Sequence, residues 1–540
     1  VRSSQPQRDY KFFTHLGYYR TFSKAPEDIR DVKRQTFLST WCPGHFANLL
    51  PLCGEFISNK PTRHAIELSE DKMDVDTYRP EPDNIFKYAL SIVDKQLEPV
   101  LTVPPLTDDE ILSTLDLTKT PGFPWRHMKF EDREQVLNSP VYQNVLPILH
   151  HLTPLWKCSP KEEWETVFNV RTNMKCRTFI IPPIELLYQQ LRFFNHGNNG
   201  IKHHWWSRYG FNPFRGGVNA MYSRHSEKPI RGDYDVAGWD RACNMQYAMA
   251  RRKRFLICPD EDRPLLEWTI ENTERAVVVL YNGDVVRIMR GNRSGSGCTT
   301  SNNIEVAMEV MSDLLIYAFY TKYNEYPPSE LIINQFVDLY GDDNQFSLDR
   351  EFSLFAERPD LIASRMWDIH RLKFKIWNCA FDKPLSEMNF LGFKPNLHDY
   401  YNMYCPMFSL ERLTLPLVYT ASRDKPEIFM QRFYAILILS WPHQEAWLMI
   451  RAAYLAAYAY CVTHKIRISA PPAPDENEMA HFYFGMESCN LQTFQEAGRS
   501  KIKISAMNRS TAPIIITPPQ IDRDPVTLTY TATSQVTLAQ

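Results

Sequence analysis

No stretch of 18 or more apolar residues occurs in this chain, so a membrane-spanning helix is not expected. The first residues, VRSSQPQRDYKFF, lack an apolar centre, and no secretory leader is expected there. Repeated CxxC pairs and Cys/His clusters at zinc-finger spacing are also missing. The eleven cysteines are scattered, which argues against a disulfide scaffold or structural zinc and for a reducing compartment. Charge of one sign is lacking too: 61 basic against 63 acidic side chains leave a net −2, so any binding to nucleic acid or an anionic membrane must come from local patches. There is no internal repeat.

What remains is ample core material. With 44% hydrophobic and 13% aromatic residues over 540 positions, the chain is globular and has the length of three or four ordinary domains or of one large multi-lobed enzyme. The first 150 residues mix short apolar runs with prolines such as Pro104, Pro105, Pro121 and Pro124, and are expected to form irregular scaffold. IIPPIELLYQQLRFFNH predicts a strand, then a helix after the proline pair. PIRGDYDVAGWDRACN predicts a strand ending at Asp235, a glycine turn and a helix starting near Asp240. Asn282-Gly283 between two β-rich runs predicts a hairpin, and GNRSGSGCTTSNN should lead into a long helix. Two buried helices broken near Pro442 are expected between Lys425 and His464.

Tyr340-Gly341-Asp342-Asp343 lies between apolar runs and should form a hairpin tip. Gly and Asp are ordinary turn formers, so a solvated turn is one reading. The other is a metal site, since Asp235 ends a separate strand and three clustered carboxylates would repel one another without a cation. Hard oxygen ligands suit Mg2+, and two such ions can stabilise phosphoryl transfer. Asp240 is either a helix cap or a polar group facing a ligand. Gly291, Gly295 and Gly297 allow tight backbone paths, while Ser294, Thr299 and Asn303 can read a sugar edge or simply start a helix. Lys157, Lys161, Arg171, Lys175 and Arg177 would line one wall of a triphosphate channel if their segment folds back as a hairpin; with three interspersed glutamates, a solvated charged face is the alternative. The run Arg251 to Phe255 either touches RNA or covers a solvent-facing helix.

In order, DVAGWD, SGSGCTTSNN and YGDD resemble the A, B and C motifs of viral RNA-directed RNA polymerases, nearest to picorna-like positive-strand enzymes of an astrovirus-like, picobirnavirus-like or related branch. The resemblance covers about residues 115 to 400 and implies an α+β right-hand polymerase with fingers, palm and thumb. Its palm would be an antiparallel sheet backed by helices, and extensions from the fingers would close a ring. It places the amino-terminal extension and fingers at 1–225, palm motif A at 226–240, a fingers insertion at 241–287 and palm motifs B to E at 288–404. A helical thumb follows at 405–505, then a carboxy-terminal arm or tail at 506–540, a candidate platform in the channel or a linker.

By the same resemblance Asp235, Asp342 and Asp343 hold two Mg2+ ions, with Mn2+ also fitting, and Asp240, Ser294, Thr299 and Asn303 recognise the ribose. Lys161, Arg171, Lys175 and Arg177 bind the triphosphate, with Glu162 and Glu163 orienting them; Thr120, Gly122 and Pro124 stand at the template entrance. Lys383 is the implied proton donor to pyrophosphate, with Lys373 and Lys375 nearby. Gly392 departs from the Lys or Arg common in the family, which leaves the primer grip open. The implied reaction transfers a nucleoside monophosphate from a ribonucleoside triphosphate to an RNA 3'-hydroxyl, releasing pyrophosphate, for viral genome replication and transcription. The expected partners are template and nascent RNA, ribonucleoside triphosphates and other viral replication proteins, with initiation either primer-independent or from a protein primer, at membrane-associated complexes in the host cytoplasm. Val1 and Gln540 fit release from a polyprotein cut after glutamine, although a recombinant boundary fits as well. The rival functions are a reverse transcriptase, which the Asp240 and Asn303 pairing opposes, and an RNA-binding structural protein with inactive carboxylates.

Overall fold

The computed structural model describes residues 8–19, 25–420 and 425–485. Alternation decides its central sheet. In the strand Ile230–Val236, Ile230, Gly232, Tyr234 and Val236 are buried, while Arg231, Asp233 and Asp235 lie on the opposite face. This strand sits inside a four-stranded antiparallel sheet ordered Phe336–Tyr340, Asp343–Leu348, Ile230–Val236, Phe374–Phe381. The first two strands form the expected hairpin, Tyr340 paired with Asp343. Its two-residue turn needs positive φ at the first position, and Gly341 supplies it at 68°. Behind the sheet runs the helix Thr299–Tyr323, buried almost continuously from Ser301 to Ile316. A helix buried on every side requires neighbours all round, and Asn84–Leu101 and Pro359–His370 supply two of them.

A second, five-stranded sheet is ordered Thr14–Tyr18, Asp284–Ile288, Ala276–Val279, Leu155–Lys161, Arg177–Ile181. It contains the hairpin expected at Asn282-Gly283 and the fold-back expected of the basic segment, with Lys161 opposite Arg177. The strand Arg177–Ile181 then passes through the proline pair into the helix Ile184–Gly200. The helices Pro426–Leu439 and Gln444–Thr463, interrupted around Pro442, share a core with Leu38, Phe46 and Leu49 from the amino-terminal region. That region is further tied down by pairing Arg34–Gln35 with Tyr419–Thr420, and Phe56–Lys60 with Glu163–Thr166. It therefore links the basic fold-back to the helical lobe.

Three expectations change. Within the first 150 residues, Asn84–Leu101 is an 18-residue helix, not irregular scaffold; Phe86, Ala89, Val93, Leu97 and Leu101 line its buried face. The helix expected from Asp240 is a single turn, Trp239–Ala242, and a new helix begins at Gln246. Arg251 and Arg252, read as RNA-touching or solvent-facing, are buried: Arg251 pairs with Asp94, Glu305 and Glu309, and Arg252 with Glu305. The expected arm at 506–540, and the end of the lobe expected to run to 505, lie outside the described residues.

Candidate active site

The strand carrying Asp235 and the hairpin carrying Asp342 and Asp343 open onto one cleft of about 870 Å³. Backbone pairing between the two strands reaches only as far as Phe346 opposite Gly232. Beyond that point the Asn344 side chain takes over, accepting from Tyr234 N at 3.1 Å and donating to Tyr234 O at 2.8 Å. This amide clamp, which the sequence reading missed, holds the hairpin tip against the strand end that bears Asp235. The crowding shows in the electrostatics. Desolvation by surrounding protein, then the charges of Asp342 and Asp235, push the Asp343 carboxyl up to about 6, although solvent still reaches it.

Such carboxylates supply hard oxygen donors of the kind Mg2+ takes, and their mutual repulsion is what a cation would relieve. Among the described residues no group of three or more His, Cys, Asp or Glu is drawn close enough to enclose an ion. A cation of the chain itself is already present: Lys375 Nζ lies 2.7 Å from Asp235 Oδ2.

Asn303 Nδ2 donates to Asp240 Oδ1 at 2.8 Å, joining two residues that the sequence places 63 positions apart. The approach depends on glycine. Gly291 has φ 88°, and a Cβ there would stand 2.5 Å from Asp240 O. Burial raises the Asp240 carboxyl, the Asn303 bond opposing it. Ser294 is exposed on the cleft wall. Thr299 does not line the cleft, because its hydroxyl donates to the carbonyls of Arg293 and Ser296 and braces the loop.

Of the basic residues, Lys161, Lys175 and Arg177 line the cleft and Arg171 does not; it faces a separate pocket with Glu27, Asp28 and His64. Each of the three has an acidic partner: Lys161 and Arg177 share Glu163, and Lys175 meets Glu165 at 2.6 Å. Glu162 instead approaches Lys60. Lys383, expected as a proton donor, is buried beside the neighbouring row of the sheet face, its ammonium on Asp233 Oδ2 at 3.2 Å and Asn378 O at 3.0 Å. The ammonium that reaches the acidic cleft belongs to Lys375. Thr120, Gly122 and Pro124 do not line the cleft either. Their segment braces the turn between strand and helix: Ile184 N donates to Pro121 O, and a Cβ on Gly122 would meet Pro182 O at 2.6 Å. Arg241, Asn292 and Lys375 line the cleft without having been singled out for it.

A family model described as viral RNA-dependent RNA polymerase matches residues 62–458. The chain is 27% identical over 299 residues to non-structural polyprotein 1AB of Turkey astrovirus 1, covering 51% of this chain and 18% of that polyprotein. It is 24% identical over 294 residues to the corresponding polyprotein of Turkey astrovirus 2, covering 49% and 17%. These matches span less than a fifth of the length of either relative. Among solved structures, the protein described as Sicinivirus 3Dpol RNA dependent RNA polymerase is similar with a TM-score of 0.60 and 14% identity, over 84% of this chain and 96% of that one. At that identity the likeness shows a shared fold. No described helix is long and apolar enough to cross a membrane.

Proposed function

The chain belongs to the viral RNA-dependent RNA polymerase family, and from that premise we propose that it performs template-directed RNA synthesis, adding nucleoside monophosphates from ribonucleoside triphosphates to an RNA 3'-hydroxyl. The observation that carries this reading is that Asp235, Asp342 and Asp343, from segments 107 residues apart in sequence, line one cleft together with Asp240, which Asn303 holds from behind. We assign the palm to 226–240 and 288–404, the fingers with the amino-terminal extension to 1–225 and 241–287, and the thumb to the helical lobe from 405.

Asp235, Asp342 and Asp343 would hold the divalent ions, two Mg2+ or Mn2+. When bound, such ions lower the cost of the attacking oxyanion and of charge on the leaving pyrophosphate. Lys161, Lys175 and Arg177 would bind the triphosphate, which must displace Glu163 and Glu165 from them. Asp240 and Ser294 would meet the ribose hydroxyls, with Asn303 behind Asp240. RNA template, nascent RNA, a protein primer and other viral proteins are the proposed partners, and the host cytoplasm at membrane-associated complexes the proposed site.

The deciding assay is extension of an RNA primer on an RNA template with Mg2+, using ribonucleotides or deoxyribonucleotides. Extension with ribonucleotides is expected; extension only with deoxyribonucleotides, or none, would overturn the reading.

Metal binding should depend on pH. With its carboxyl near 6, Asp343 is protonated below that value and must give up the proton to ligate a cation. Apparent Mg2+ affinity should therefore fall as pH drops from about 7 to about 5, and binding near pH 6 should release protons. Calorimetry in two buffers of different ionisation enthalpy measures this directly. Identical heats in both buffers and a pH-independent affinity would count against Asp343 as a ligand.

A further inference from the structure

We infer that Asn292 fixes the orientation of the Asp240–Asn303 pair and thereby sets the preference for ribonucleotides over deoxyribonucleotides. The inference rests on the polymerase reading above, and it makes Asn292 a positioning residue. A side-chain amide has a donor end and an acceptor end of nearly equal shape, so Asn303 alone can turn either end toward Asp240. Only the donor end suits a carboxylate. Asn292, 4% exposed, removes the choice: its Nδ2 donates to Asn303 Oδ1 at 2.8 Å, which commits the acceptor end and leaves Nδ2 for Asp240 Oδ1, also at 2.8 Å.

Asn292 is itself fixed from two sides. Its backbone N donates to Asp240 O at 2.7 Å, and its Nδ2 also donates to Thr299 O at 2.7 Å. Both donors of the amide group are thus committed to the loop and the pair. Its Oδ1 is buried and has no hydrogen-bond partner among the described residues, and the residue lines the cleft between Asp240 and Ser294. The relay leaves the second Asp240 oxygen, Oδ2, without a hydrogen bond among the described residues. That oxygen, an acceptor, suits the donor hydrogen of a ribose 2'-hydroxyl, which a deoxyribonucleotide lacks.

Replacement of the amide separates this role from loop bracing alone. Asn292→Asp keeps the volume and loses the donor; Asn292→Ala loses both ends. Single-nucleotide incorporation on an RNA primer and template with Mg2+ gives kcat/KM for a matched ribonucleotide and for its 2'-deoxy form. The ratio is expected to fall by about tenfold or more in both variants, the loss falling on the ribonucleotide. In an Asn303→Ala background the same changes should move the ratio by less than about twofold, because Asn292 then has nothing to orient. Thermal melting of each variant reports folding. A parental ratio in the single variants, an equal loss for both nucleotides, or a full effect without Asn303 would overturn the inference while leaving the polymerase reading intact. A parent that adds no nucleotide at all would sink that reading and the inference with it.

Discussion

Asp342→Ala should abolish primer extension and leave the protein folded. Asp342 is exposed at the hairpin turn, and among the described residues its carboxylate accepts no hydrogen bond; its backbone oxygen accepts from Asn344 Nδ2. Removing the carboxylate therefore breaks no packing. It removes one oxygen ligand set from the proposed metal centre, where losing several kcal/mol of charge stabilisation corresponds to a fall in rate of about 10³-fold or more. Without divalent metal the variant should be at least as stable as the parent, since Asp342 is one of the charges that push Asp343 up. Asp360→Ala, at an exposed acid paired with Arg358, is the control and should extend primers normally. Extension by Asp342→Ala within about tenfold of the parent would refute the assignment.

The second large effect lies in the core. Arg251→Ala should destabilise the protein by about 3–5 kcal/mol, because it strands the buried carboxylate of Glu309 and removes one of the two guanidinium partners of buried Glu305. Arg251 meets Asp94 at 2.6 Å, Glu305 at 3.1 Å and Glu309 at 2.8 Å. Two residues along, Lys253 forms an exposed pair with Glu267, and Lys253→Ala should cost no more than about 1 kcal/mol. The loss should also depend on pH. Burial pushes Glu309 up to about 7 from its ordinary 4.5, with Arg251 opposing the rise. The folded state thus holds the extra proton, and this group's contribution to stability declines as pH rises from about 4.5 through about 7. Without Arg251 the decline should extend to higher pH, so the deficit should be larger at pH 8 than at pH 6. Urea midpoints at the two pH values test it; equal deficits, or Lys253→Ala as damaging as Arg251→Ala, would show that the buried pairs are not the cause.

The contrast between Arg251 and Lys253 shows where sequence reading stops. Five consecutive residues, RRKRF, look like a charged surface because nothing local betrays their partners: Glu305 and Glu309 come from the central helix and Asp94 from a third helix. The Asp342 hairpin was legible because it combines local signals, two β-rich runs and a glycine at the turn. So was the Asp235 strand, whose period of two separates buried from partly exposed residues. The Asn84–Leu101 helix was missed, because the prolines within and after it, Pro99, Pro104 and Pro105, outweighed its apolar spacing. Asn292 and Asn344 carried no signal. A polar residue beside a glycine or an acidic turn is ordinary, and only a partner about a hundred residues away makes the Asn344 amide a clamp. Lys375 lies within the strand Phe374–Phe381 and Lys383 just after it, and what separates them is burial: Lys383 is buried, while the exposed Lys375 reaches Asp235.

The amino-terminal strap has a mechanical consequence. It is anchored by Leu38 and Leu49, both fully buried in the helical lobe, and by the short ladder at Tyr419–Thr420. Withdrawing those two side chains alone costs on the order of 3–6 kcal/mol, so the belt stays fastened in all but a small fraction of molecules. Were this belt closed around a nucleic acid strand, as the polymerase resemblance implies, the strand would leave by sliding along its own length. Escape would then slow with the length of the strand, and long products would remain attached without any gain in equilibrium affinity.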